Sequence, residues 1–145
     1  MEVVALLQGL IAFLGIPAGI AVSVFSSEEH KSVKNYVGFA KKMSLVASCI
    51  TYFFIMSVPL AIPLALISIL LLFFEISSVI VLPFLAVAIF FSNASQIFAS
   101  VVFLYCFFIG ASMFSPKKSV AEYVRSIATY LPFLAILLFL SVFPF

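Results

Sequence analysis

The chain is written as long apolar runs separated by two short polar windows. Val3 to Phe25 is almost unbroken apolar sequence, and a polar window follows from Ser26 to Lys42. Met43 to Ser115 is apolar again, interrupted at Ser57-Val58-Pro59, at Glu75-Ile76-Ser77-Ser78 and at Ser92-Asn93-Ala94-Ser95. A second polar window precedes a last apolar run. About 20 apolar residues suffice for a helix to cross a bilayer, and Pro, Ser and Asn suit the turns and caps between such helices. The pattern predicts an all-α, polytopic transmembrane helix bundle forming a single domain over 1–145. Its six spans are expected at 3–25, 43–58, 60–74, 78–91, 95–114 and 127–143, with loops at 26–42 and 115–126.

Charge placement gives the expected orientation. Every Lys and Arg lies in one of the two polar windows, the first holding Lys31, Lys34, Lys41 and Lys42, the second Lys117, Lys118 and Arg125. Basic residues concentrate on the cytoplasmic side of membrane proteins. Both loops are therefore expected in the cytoplasm, with the N- and C-termini outside. The number of crossings between the loops must then be even. The intervening 73 residues make about 110 Å of helix, and four crossings fit best. Two crossings, with Pro59 and Pro63 only kinking one longer helix, would leave middle helices well beyond the ~20 residues a bilayer needs. The first run is too long, and lacks the basic lead-in, for a cleaved signal peptide. It is read as a retained helix.

The two polar windows resemble each other. Lys31-Ser32-Val33-Lys34-Asn35-Tyr36-Val37 and Lys118-Ser119-Val120-Ala121-Glu122-Tyr123-Val124 share K-S-V-x-x-Y-V at an offset of 87 residues. Ser26 and Glu29 have capping-box spacing, while Ser115 followed by Pro116 suits a helix start. Val33, Tyr36, Val37 and Ala40 recur on one helical face, as do Val120, Tyr123, Val124 and Ile127. Each window is expected to form a short amphipathic helix in the cytoplasmic interface, Tyr at headgroup level and Lys toward water and anionic lipid. The bundle then consists of two parallel hairpin repeats with an inserted helix pair.

Composition narrows the class. Hydrophobic residues make up 66% of the 145 and charged residues 8%, against about 25% charged in soluble domains. A water-soluble fold and intrinsic disorder are both excluded. A net charge of +2 does not suggest nucleic-acid binding. Cys49 and Cys106 sit inside apolar runs and His30 is the single histidine, so neither a disulfide framework nor a metal site is expected. No cofactor motif occurs.

A few residues stand out. Glu75 is the one charge beyond the loops and the N-terminus; in the six-span arrangement it falls at a solvated turn, and its alternative role is ion, proton or partner binding. Gln8, Gln96 and Tyr105 are the other polar groups that such a site would use. Glu28, Glu29, His30 and Lys31 are the richest polar cluster, but consecutive helical residues diverge, and the two carboxylates suit a first helical turn. With Tyr36, Lys118 and Tyr123 they form the interfacial set. Gly15, Pro17 and Gly19 predict a kink or close helix contact in the first span. Asn93-Ala94-Ser95 matches a glycosylation pattern too common to weigh.

The expected role is a structural or accessory subunit of a membrane complex, with another membrane protein or a second copy as partner. The alternative is a small-solute or ion transporter built from the repeated hairpins. A headgroup-acting enzyme is a third reading, and it requires the two loops to meet.

Overall fold

A computed structural model describes residues 2–56, 77–92 and 95–142, without the side chains of 2, 27–31 and 56. Glu75, Pro59 and Pro63 lie outside the described residues, as does the run 60–74. The elements are α1 (Glu2–Phe13), α2 (Gly15–Phe25), α3 (Ser27–Met56), α4 (Ser78–Phe91), α5 (Gln96–Ser112), α6 (Val120–Ala128) and α7 (Leu131–Val142). No strand occurs among the described residues.

Two prolines explain two of the boundaries. A proline has no N–H for the carbonyl four residues earlier. Pro17 thus leaves Phe13 without its usual donor, and α1 ends at Phe13. The path stays helical, because Leu14 N–H donates to the Leu10 carbonyl at 3.1 Å and Ala18 N–H to the Leu14 carbonyl at 3.1 Å. Val3–Phe25 therefore runs on as one 23-residue stretch long enough to span a membrane. Pro132 stands in the same relation to Ala128, where α6 ends. Here the chain turns, with Tyr130 N–H on the Ile127 carbonyl at 2.9 Å and Phe133 N–H on the Tyr130 carbonyl at 3.1 Å. The axes of α6 and α7 differ by 42°.

The first polar window behaves differently from the second. No separate interfacial helix forms over 26–42. Instead α3 continues for 30 residues through both the polar window and the apolar run after it. The position matching Pro132 at the offset of 87 is Leu45, a good helix former, and nothing there stops propagation. The repeat in sequence is thus a continuous helix in one half and a bent pair in the other.

Among the described residues two helices are long and apolar enough to cross a membrane, Val3–Phe25 and Ser32–Ile55, or three if α6 and α7 form one bent span. Helices α4 and α5 are shorter apolar helices of 14 and 17 residues.

Helix α5 is the hub, with α1, α2 and α3 packed on it. Gly15 meets Phe103 and Gly19 meets Phe107, so α2 and α5 run parallel. A Cβ on Gly15 would lie 2.5 Å from the Phe103 carbonyl oxygen and 2.9 Å from the Phe107 nitrogen. Gly110 of α5 meets the Ile16 carbonyl oxygen in return. In a bilayer, where lipid is as apolar as leucine, such close backbone approach replaces the hydrophobic effect as the source of helix association. Helix α3 packs antiparallel on another side of α5, its Tyr52 ring centred 5.4 Å from that of Phe98. Helix α7 packs antiparallel on α1, with the Phe13 and Phe133 rings stacked at 6.0 Å and Gly9 against Leu137. Helix α4 closes this side against α7 and α1.

Gly38 of α3 has no neighbour within 4 Å of where a Cβ would sit. Gly38→Ala is expected to stabilise the protein by about 0.5–1 kcal/mol, since the glycine only adds backbone entropy to the unfolded chain. A thermal unfolding series in one detergent would register this as a higher midpoint; a lower midpoint would show that the open space is needed.

Candidate functional site

Two polar assemblies are built into the described chain. The first surrounds Tyr105. This residue lies on the buried face of α5, and Ser78 in the first turn of α4 lies close to its hydroxyl. Tyr130, at the α6–α7 bend, and Cys49 of α3 are within electrostatic reach of the same group. Residues from α3, α4 and the bend thus lie around one side chain of α5. Cys106, beside Tyr105 in sequence, is fully buried. Neither cysteine is in a disulfide.

The second assembly is the turn from Met113 to Ser119 and the start of α6. Tyr123 donates its hydroxyl proton to the Ser115 carbonyl at 2.7 Å and accepts from Ser115 N–H at 3.0 Å. Lys118 Nζ donates to the Met113 carbonyl at 3.1 Å and lies 5.8 Å from the centre of the Tyr123 ring. Ser119, not Ser115, is the N-cap of α6. Ser119 N–H donates to Glu122 Oε2 at 2.7 Å while Glu122 N–H donates to Ser119 Oγ at 3.4 Å, which completes a capping box. The S-x-x-E spacing at 119–122 was readable in the sequence; it outcompetes Ser115 because it satisfies two backbone donors at once. Ser115 is used by Tyr123 instead. At the other window, the Ser26 hydroxyl donates back to the Val22 carbonyl at 2.8 Å, closing α2 and not opening α3.

Tyr123→Phe removes both bonds to Ser115. We expect a local loss of about 1 kcal/mol, seen as faster hydrogen exchange of the Ser115 amide with the global unfolding midpoint unchanged. Unaltered exchange at Ser115 would show that the turn holds without the tyrosine.

The remaining predicted residues are dispersed. Gln8 is buried in α1, whereas Gln96 is exposed at the start of α5, so the two do not occupy matching environments. Tyr36 is exposed on α3, while Tyr123 is tied to its own turn. Glu28, Glu29, His30 and Lys31 fall in the first turns of α3. Gly15 and Gly19 line the α2–α5 contact, and Pro17 is half-buried beside them. Buried serines are spent on their own helices: Ser44 on the Lys41 carbonyl, Ser48 on the Ser44 carbonyl and Ser92 on the Ile89 carbonyl, at 2.7–2.9 Å. Among the described residues no group of three or more His, Cys, Asp or Glu could hold a metal ion. The convergence of Ser78 and Tyr130 on Tyr105 had no sequence signal, because these residues are neither periodic nor adjacent. Comparison with protein-family models, with curated proteins and with solved structures found no match.

Proposed function

We propose that the chain is an integral membrane protein serving as a structural or accessory subunit of a membrane complex. The observation that carries this reading is the uneven cover of its two long apolar helices. Half of the apolar stretch in Val3–Phe25 is buried inside the protein, against 17% for Ser32–Ile55. Helix α3 offers Tyr36, Phe39, Met43, Ile50 and Phe54 to its surroundings, while the interior hydroxyls of Ser44, Ser48 and Ser92 are used in helix-local bonds. Such a molecule is organised for packing. Its occupants along α3 are lipid and a second membrane protein or copy.

Isolation of the tagged full chain from native membranes in mild detergent tests the reading. A second membrane protein, or a second copy, should accompany it at fixed ratio, and Phe39→Ala with Phe54→Ala should release it. A stable monomer that moves a solute in liposomes would overturn the reading.

The topology belongs to the same proposal: six spans, two parallel hairpin repeats, loops in the cytoplasm and termini outside. It is supported by the matching loop motifs and by the parallel run of α2 and α5, which belong to the first helices of the two hairpins, since parallel repeats pack about an axis along the membrane normal. In a cysteine-free background Ile76→Cys should react from the cytoplasmic side; reaction from outside would overturn six spans.

A transporter is the second reading, favoured by one specific observation, the placement beside the buried Tyr105 of Ser78, which follows Glu75 by three residues. It requires Glu75→Gln and Tyr105→Phe to abolish a flux that the unaltered chain supports.

A further inference from the structure

We propose that α6 is a membrane-surface helix that docks the cytoplasmic end of the second hairpin onto the anionic headgroup layer, a role that α3 does not share. The proposal rests on the reading of the chain as an integral membrane protein. None of the side chains of α6 is buried. Tyr123 and Ile127 turn toward the core and pack against its edge, which leaves Val120 at 80% and Val124 at 61% exposure. These two lie one turn apart on the same side of the helix. At 100° per residue Ile127 falls beside Val120 and Glu122 falls on the opposite side, with Arg125 about 100° round the helix from Val124. An exposed valine strip preceded in sequence by Lys117 and Lys118 and followed by Arg125 matches the boundary between acyl chains and acidic headgroups.

The orientation is held by the protein. The 42° bend at Pro132 turns α6 away from the axis of the apolar α7. The Tyr123 bonds to Ser115 and the capping box set its rotation about its own axis. In the first half, where Leu45 replaces the proline, the corresponding stripe continues along α3 and no surface helix separates. Anionic lipid is therefore held at one of the two basic windows more than at the other. A partner protein covering the valine strip is the competing occupant; the continuity of α6 with an apolar helix and its flanking cations favour lipid.

The chain has no tryptophan, so Val124→Trp makes a single fluorescent reporter on an exposed site. Val120→Trp is the second reporter. Each full-length variant is reconstituted in vesicles containing brominated phosphatidylcholine or brominated phosphatidylglycerol, and resistance to alkaline extraction checks membrane integration separately. The expected result is quenching by both lipids, stronger with phosphatidylglycerol. Lys117→Gln and Arg125→Gln should each lower that preference about five-fold; Lys118 is kept because it also bonds the turn. Protein that resists extraction but shows no quenching at either site, or equal quenching by the two lipids, overturns the proposal. Protein removed by alkali overturns the integral-membrane reading beneath it.

Discussion

Gly19→Ala is expected to destabilise the protein by about 3 kcal/mol or more, at or beyond the usual range for overpacking. The added Cβ would meet the Phe107 carbonyl oxygen, with the Ala111 nitrogen at 2.8 Å and the Phe107 carbonyl carbon at 2.9 Å. All three are backbone atoms and no rotamer change relieves them, so α2 must move off α5 along its length. Gly110 faces the Ile16 carbonyl in the same contact. A Gly19→Ala, Gly110→Ala double variant should therefore lose less than the sum of the singles, because one displacement accommodates both. Gly9→Ala is the control: its Cβ meets the methyl end of the Leu137 side chain, which can rotate, and the loss should stay below about 1 kcal/mol. Thermal unfolding of the four variants beside the unaltered chain in one detergent decides this. Equal midpoints for Gly9→Ala and Gly19→Ala would show that the α2–α5 contact is not rigid.

Phe133→Ala is expected to cost about 2–3 kcal/mol. The side chain is fully buried in α7 and stacks on Phe13 with 17° between the ring planes, so truncation leaves a phenyl-sized void between α1 and α7. Such changes cost about 3–5 kcal/mol in soluble proteins. The figure is smaller here because lipid removes most of the water-transfer part and the lost packing is what persists. Leu138→Ala, five residues along α7 and half-exposed, should shift stability by less than about 0.5 kcal/mol. The same unfolding series checks both. If Leu138→Ala proved the more damaging, the outward face of α7 would be covered in the purified protein.

Helices were legible where composition and terminators agree. Helix α4 occupies Ser78–Phe91, capped by Ser77 and Ser92 from the interruptions that bounded it in the sequence. Val3–Phe25 is one long apolar stretch despite Pro17. The first polar window misleads because amphipathic periodicity marks a helical face without marking a helix end. Loss of a backbone donor is one thing that ends propagation, and Pro132 supplies it where Leu45 does not. Ser115 misleads for a related reason: two S-based starts lay four residues apart, and the one with a carboxylate at its third position satisfies more backbone groups.

The candidate site was less legible than the helices. Tyr105 stands out in sequence as a polar group in an apolar run, but its partners come from α4 and from the bend before α7. Gly15 and Gly19 carry a recognisable spacing, yet the spacing does not say which backbone they admit.

Taken alone, the sequence determined the helical character of the described apolar runs. Apolar runs of sufficient length, almost without charge, have no stable conformation in lipid other than a helix that satisfies its own backbone, and the basic windows assign the expected sidedness. Only the tertiary structure decided which helices touch. In lipid all apolar surfaces are nearly equivalent, so the choice of neighbour rests on shape at a few positions. Gly19 against Phe107, Phe133 on Phe13 and Ser78 beside Tyr105 are such positions, and their complementarity exists only once the chain is folded.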